Sequence, residues 1–169
     1  MSDPLRATMA MLAPLLGRFR GTGRVRFPTI KSFDYTETLE LVADRERPLI
    51  HYVQRAEQRE VGQVEWAPSH WEAGFLRPVA ERAVEMTSAQ DGGRLELLRL
   101  DVSVEDGVLV LDGGSVALVN DARLVRTHRR FELRGDRLSY RVSMATTRVV
   151  ELTGHLEATL EREPVALPT

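Results

Sequence analysis

From residue 18 onward, the sequence is built of short segments in which apolar residues alternate with polar ones. In one of them, Leu138, Tyr140, Val142 and Met144 occupy every second position. Successive side chains of a β-strand point to opposite faces, so this pattern is typical of strands with one face against a core. It predicts strands at residues 18–27, 33–42, 49–57, 71–76, 82–89, 94–104, 116–120, 126–133, 138–144 and 156–160.

Turn-forming pairs separate these segments and predict hairpins, at Asp91-Gly92-Gly93, Asp106-Gly107, Asp112-Gly113-Gly114 and Gly135-Asp136. Within residues 94–104 the apolar positions change parity between Leu97 and Leu98, which indicates a bulge. Roughly ten strands joined by hairpins, with no helical crossover, favour an all-β antiparallel up-and-down barrel of the lipocalin or fatty-acid-binding-protein type. A two-sheet sandwich is the alternative fold. A barrel of this size can hold one small ligand.

The two ends of the chain differ from this strand pattern. Residues 4–16 predict a short helix that packs on the barrel, with a signal peptide as the alternative. At 169 residues the chain is predicted to be a single domain over residues 1–169. We expect its core to span about residues 12–162 and its tail, residues 163–169, to be disordered.

Composition excludes several classes of site. The absence of cysteine excludes disulfides, zinc–thiolate sites, iron–sulfur clusters and thiolate-ligated haem, and it is compatible with a reducing cytoplasm. A net charge of −2 provides no drive towards nucleic acid or an anionic membrane, so neither is predicted as a partner. The oligomeric state stays open, with a homodimer among the alternatives.

Most charged residues are interpreted as solvated strand faces. This interpretation covers the glutamates and a basic run of five arginines: Arg123, Arg126, Arg129, Arg130 and Arg134. His128, within this run, is predicted to lie on the surface, whereas His51 is ambiguous. No Ser/His/Asp order or pair of histidines at i, i+4 spacing indicates a hydrolase.

The first strand carries a glycine-rich motif, with Gly17, Phe19, Gly21 and Gly23 in a G-x-F-x-G-x-G run. Glycine inside a strand marks a bend or the close approach of another element. Phe19 is expected to plug the closed end of the barrel. By itself, the motif indicates only a ligand-binding barrel.

Further landmarks follow in order: FPTI, SFDYTE, Tyr52-x-Gln54, the segment from His70 to Pro78, MATT at residues 144–147, and His155-Leu156. Together with the glycine motif they resemble the nitrobindin family of small haem-binding β-barrels, over residues 12–160. Where this sequence has Phe19, the family usually has tryptophan.

This resemblance implies a ferric haem b whose axial ligand is His155. It also implies that His70 lies near the other face of the haem and that Thr29 contacts it. The alternatives are that His70 is a solvated histidine beside Glu72 and that Thr29 is a turn-capping residue after Pro28. The implied activity is binding of nitric oxide and isomerisation of peroxynitrite to nitrate, in an apolar pocket with few hydrogen-bond donors. The alternative functions are a haem-free carrier of a fatty acid or other apolar ligand, and a protein-interaction domain.

Strand parity bears directly on His155. Leu156, Ala158 and Leu160 are predicted to face inward, which would turn His155 outward. Either a kink at Gly154 changes its direction, or the haem lies at the rim of the barrel. The sequence leaves both alternatives open.

Overall fold

The structure is a computed structural model that describes residues 3–59 and 64–164. In these residues, ten antiparallel strands form a closed barrel in which each strand pairs with the next and β1 pairs with β10. This confirms the predicted barrel, and its closure excludes the two-sheet sandwich. The strands are β1 Gly17–Phe27, β2 Ile30–Ala43, β3 Ile50–Arg59, β4 Ala67–Ala80, β5 Ala83–Gln90, β6 Leu95–Glu105, β7 Val108–Val119, β8 Leu124–Arg134, β9 Arg137–Thr146 and β10 Thr153–Arg162.

A short helix closes one end of the barrel. Helix α1, Pro4–Leu12, begins after Asp3, whose side chain accepts a hydrogen bond from the Leu5 backbone, and it continues as a 3-10 turn at Ala13–Leu15. Thr8 fixes the helix to the β4–β5 turn, because its hydroxyl accepts from the Arg82 backbone at 2.9 Å. Leu12, Leu15 and Phe19 are buried together at this end, as expected for a plug.

The Asp112-Gly113-Gly114 turn prediction is wrong, because these residues lie inside β7. A Cβ on Gly113 would lie 2.0 Å from the Arg99 backbone oxygen of β6. Gly113 therefore permits a close approach of two strands, which is the other reason for glycine in a sheet. The bulge prediction in β6 is correct, since the β6–β7 register shifts between Leu97 and Leu98.

The buried apolar side chains extend along the chain from Leu12 to Leu160. Beyond β10, the Glu163 backbone donates to the Arg18 oxygen of β1 at 2.7 Å. The rest of the tail predicted to be disordered, residues 165–169, lies outside the described residues. No helix in the described ranges is long and apolar enough to cross a membrane.

Candidate functional site

A cavity of about 210 Å³ lies inside the barrel at the end opposite α1. Two chemically different walls enclose it. One wall is apolar and comes from β1, β2, β9 and β10: Val25, Ile30, Phe33, Val142, Met144 and Leu156. The other is polar and comes mainly from β3, β4, β6 and β8: Gln54, His70, Glu72, Glu96, Thr127 and Arg129. An apolar cavity with a few convergent polar groups is the usual form of a small-molecule site.

His155 enters this cavity through a bulge in β10. Along the β9–β10 pair, Gly154 lies opposite Ser143 and Leu156 opposite Val142, so His155 is an extra residue in β10. A bulge of this kind redirects side chains. Both His155 and Leu156 therefore line the cavity, although strict alternation would separate them. The register shift between Gly154 and Leu156 gives His155 the change of direction that the first alternative, a kink at Gly154, requires.

The His155 imidazole lies in a mostly apolar environment. Its Nδ1 is buried and has no hydrogen-bond partner among the described residues. The Phe27 ring stands edge-on to it at a centroid distance of 5.7 Å. Burial lowers the pKa of His155 to about 4, with further lowering by the positive charge of Arg94 and by His70, and a small opposing effect of Glu96. At neutral pH the ring is uncharged, which is the form that binds metal.

The other histidines occupy different positions. His70 lines the same cavity, where its Nε2 lies 3.4 Å from Glu72 Oε2. His128 faces outward, with Nε2 3.3 Å from Asp112 Oδ1. His51, which the sequence left ambiguous, is exposed on the outer face.

The remaining predicted site residues lie at the edges of the cavity or away from it. Thr29 is exposed in the β1–β2 turn and does not belong to the described lining, although its neighbour Ile30 does. The glycine motif runs along β1. At Gly23 a Cβ would lie 2.2 Å from Cζ of Tyr35, so this glycine makes room for a ring that lines the cavity.

A buried ion network forms the polar wall. Arg129, which is 5% exposed, donates to Glu72 through Nη1 at 2.7 Å and to Glu96 through Nη2 at 3.2 Å. Tyr52 donates to Glu72 at 2.7 Å, and Thr127 donates to Glu96 at 3.1 Å. Burial opposes ionisation of Glu72, but Arg129 and these hydrogen bonds outweigh it and hold the pKa of that carboxyl below its usual range. The wall therefore stays charged and fixed in place.

A second buried network lies deeper in the barrel. The Glu37 carboxylate accepts hydrogen bonds at Oε2 from Tyr140 at 2.5 Å and from Gln54 at 2.8 Å. Tyr35 lies next to Tyr140, with a distance of 3.3 Å between the two hydroxyl oxygens. Burial raises the pKa of Glu37 to about 7, and Glu72 adds to this, against the opposing effect of the two hydrogen bonds. Tyr140 and Gln54 line the cavity, so this network forms part of its floor.

A larger groove of about 830 Å³ crosses the outer face of the barrel over β1, β2 and β8–β10. Several of its charged side chains pair with one another. Arg24 donates to Asp34, and Arg130 donates to Glu132 at 2.6 Å. These exposed pairs indicate a solvated surface, and the interior cavity is the better candidate for a functional site.

Residues 8–162 match the family model described as THAP4-like, heme-binding beta-barrel domain. The chain belongs to this family. The match covers all ten strands of the barrel and confirms the resemblance inferred from the sequence motifs.

Two curated proteins similar to this chain are named peroxynitrite isomerases. The protein of Nocardia farcinica is 36% identical over 165 residues, which cover 96% of this chain and 95% of the relative. Peroxynitrite isomerase 1 of Rhodococcus jostii is 37% identical over 163 residues, which cover 96% of this chain and 88% of the relative. Among solved structures, Rv2717c from M. tuberculosis superposes with a TM-score of 0.81 at 29% identity, over 97% of this chain and 99% of that one.

The structure of this member of the haem-binding barrel family shows that two interpretations made from the sequence are wrong. Glu37, Glu72 and Glu96 are not on solvated faces but are buried inside the barrel, and Arg129 differs from the rest of its basic run in the same way. The prediction of an apolar pocket with few donors is also wrong for one wall, where Arg129 and Glu72 lie.

One sequence signal could have revealed part of these networks. Glu37 shares the parity of Phe33, Tyr35 and Leu39, so an acidic residue stands on an inward-facing apolar row. Glu72 had no such signal. Its neighbours Trp71 and Phe75 are exposed aromatic residues, and the usual rule that aromatic residues face inward assigns the two faces of β4 in reverse.

Proposed function

We propose that this protein is a haem-dependent peroxynitrite isomerase in which His155 is the axial ligand of a ferric haem b. One observation carries the proposal: a neutral imidazole turned into the cavity by a bulge, with a buried Nδ1 that has no partner among the described residues. A buried polar atom without a hydrogen-bond partner calls for an explanation, and a ligand bound beside it is one. The names of the curated relatives support the reaction.

The residues present fit a haem. Histidine is a common axial ligand of haem iron, and burial keeps His155 uncharged at neutral pH. The apolar wall offers side chains such as Val25, Phe33 and Met144 to a flat hydrophobic ring. Thr29, in the turn next to this cavity, would contact the haem from outside the lining, and His70 of the polar wall would be available to a small ligand.

When bound, the haem supplies a Lewis-acidic ferric iron that can take nitric oxide or peroxynitrite as a ligand. Peroxynitrite and nitrate contain the same atoms and carry the same charge, so their interconversion needs no co-substrate. The protein has to hold the cofactor through His155, exclude water with the apolar wall, and orient a small anion. Arg129 is neutralised by Glu72 and Glu96, so it stabilises the wall without attracting anions strongly.

The proposal includes a single domain over residues 1–169, a cytoplasmic location, and small molecules as the partners. The polar wall disfavours the alternative carrier of a fatty acid, because an alkyl chain against Glu72 and Arg129 would desolvate them without giving hydrogen bonds in return.

The test is a titration of the haem-free protein with ferric haem, followed by absorption, in the wild type, His155→Ala and His128→Ala. We expect a saturating one-to-one Soret band in the wild type and in His128→Ala, whose histidine faces outward, and its loss in His155→Ala. The loaded wild type should then convert peroxynitrite to nitrate faster than the haem-free protein does. Full haem affinity in His155→Ala, or no acceleration by the loaded wild type, would refute the proposal.

A further inference from the structure

A second, smaller cavity of about 30 Å³ lies deeper in the barrel, between the His155 cavity and α1. Its walls are almost entirely apolar and come from the 3-10 turn and several strands. They include Leu15, Leu39, Leu76, Met86, Leu111 and Leu138. We call this space the inner cavity and the His155 cavity the outer cavity.

Gln54 and Tyr140 line both cavities and therefore form the partition between them. Hydrogen bonds hold this partition in place. Gln54 Nε2 donates to the Tyr140 hydroxyl at 2.8 Å, and both residues donate to the same oxygen of Glu37. These two side chains therefore lie between the inner cavity and the outer cavity.

The size and lining of the inner cavity define what it can hold. About 10–15 Å³ of such volume is enough for one water-sized molecule, so the inner cavity has room for a molecule of two or three heavy atoms. Water needs two to four polar partners in such a space, whereas an apolar cavity stays dry and binds xenon or small apolar molecules. An anion without a partner is strongly disfavoured there, because burial of an unpaired charge is costly.

We propose that the inner cavity is a second ligand site, specific for small uncharged molecules of diatomic size. Nitric oxide fits this description, whereas peroxynitrite and nitrate are anions and stay in the outer cavity. The site would hold an uncharged gas next to the outer cavity, behind Gln54 and Tyr140. The assignment of nitric oxide as its occupant depends on the proposed haem function, but the affinity for an apolar gas does not.

The first test uses xenon as the probe, with crystals of the haem-free protein placed under xenon pressure. We expect xenon density between Leu76 and Leu111 in the wild type. Leu76→Phe fills the space and should abolish this density, whereas Leu76→Met conserves the volume approximately and should keep it. Leu111→Ala enlarges the cavity and should increase the occupancy. Leu111→Ala keeps the test decisive if Leu76→Phe does not fold.

Two xenon results would overturn the proposal: density confined to the outer cavity in the wild type, or unchanged inner density in Leu76→Phe. Neither depends on haem, so a failure of haem binding would leave the inner site intact and refute only the proposed function. In haem-loaded protein, flash photolysis of bound nitric oxide adds a second readout. We expect the slow geminate rebinding phase to be lost in Leu76→Phe and kept in Leu76→Met. An identical slow phase in both variants would contradict occupancy by nitric oxide.

Discussion

Glu37 has a buried carboxyl group that changes its charge near neutral pH. It is 2% exposed, and burial raises its pKa to about 7, from 4.5 in an unfolded chain. Its Oε2 accepts both hydrogen bonds, which leaves Oε1 to carry the proton. A raised pKa in the folded state means that this group favours folding at low pH and that this contribution is lost as pH rises towards 7.

Glu37→Gln imitates the protonated carboxyl group and should remove this pH dependence. Between pH 5 and pH 9, we expect the free energy of unfolding of the variant to rise relative to the wild type by about 2–3 kcal/mol, from 1.36 kcal/mol per pKa unit. Urea unfolding at several pH values measures this difference. The matched control is Glu40→Gln, because Glu40 is exposed on the outer face of the same strand. A difference between Glu37→Gln and the wild type that stays constant with pH would refute the prediction.

Arg129 and Arg130 are neighbours on opposite faces of β8, which allows a direct comparison. Arg129→Met leaves Glu72 and Glu96 buried without their cation, and removal of one partner from a buried pair costs about 3–5 kcal/mol. Arg130→Met removes a partly exposed pair with Glu132, which is worth about 1 kcal/mol or less. Chemical denaturation of both variants measures the contrast. Equal losses of stability would contradict the buried network.

For single residues, the sequence predicts burial where it follows from the strand alone, but not where it depends on contacts with distant strands. Period-two alternation correctly assigns Tyr140 to the core, because each strand keeps one face inward. It does not find Arg129, because the pairing of an inward charge with Glu72 and Glu96 depends on strands distant in sequence. The direction of His155 could not be decided either, since a bulge depends on the register with β9.

At the scale of the strand, β1 and β10 contain glycines with opposite surroundings. A Cβ on Gly21 would lie 2.1 Å from the Thr159 backbone oxygen of β10, whereas a Cβ on Gly154 would meet no atom within 4 Å. The first glycine lets two strands come together, and the second lies next to the bulge, where space is open.

Alanine at these two positions should therefore have different effects. We expect Gly21→Ala to lower the free energy of unfolding by about 1–3 kcal/mol, because a backbone must move to relieve the clash. Gly154→Ala should stay within about 0.5 kcal/mol of the wild type. Thermal unfolding of the two variants measures both losses of stability. A larger loss for Gly154→Ala would show that the geometry of the bulge depends on glycine itself.

The strand elements were largely predictable, because their signals are local. Turns at Asp91-Gly92-Gly93 and Asp106-Gly107 lie where turn chemistry placed them. Asp112-Gly113-Gly114 has the same local signal, but its glycine serves a contact with β6. A sequence pattern alone does not distinguish these two uses of glycine.

At the scale of the whole molecule, the barrel has one closed end and one end with a cavity. Leu12 and Leu15 fill the closed end, and the ends of β1, β4 and β10 supply Val25, His70 and His155 to the other. Sequential hairpins made the barrel predictable. The arrangement of an apolar wall opposite a charged wall was not predictable, since it depends on which strands become neighbours across the barrel interior.

The central claim is that the bulge in β10 directs His155 to the iron of a bound haem. The most direct test replaces the side chain and supplies its imidazole separately: His155→Gly is loaded with ferric haem in the absence and presence of free imidazole, and the absorption spectrum is recorded. We predict that the variant lacks the wild-type Soret band and that imidazole restores it, because the space left by the ring would let free imidazole take the proposed role of His155. A wild-type band in His155→Gly without imidazole would contradict the claim.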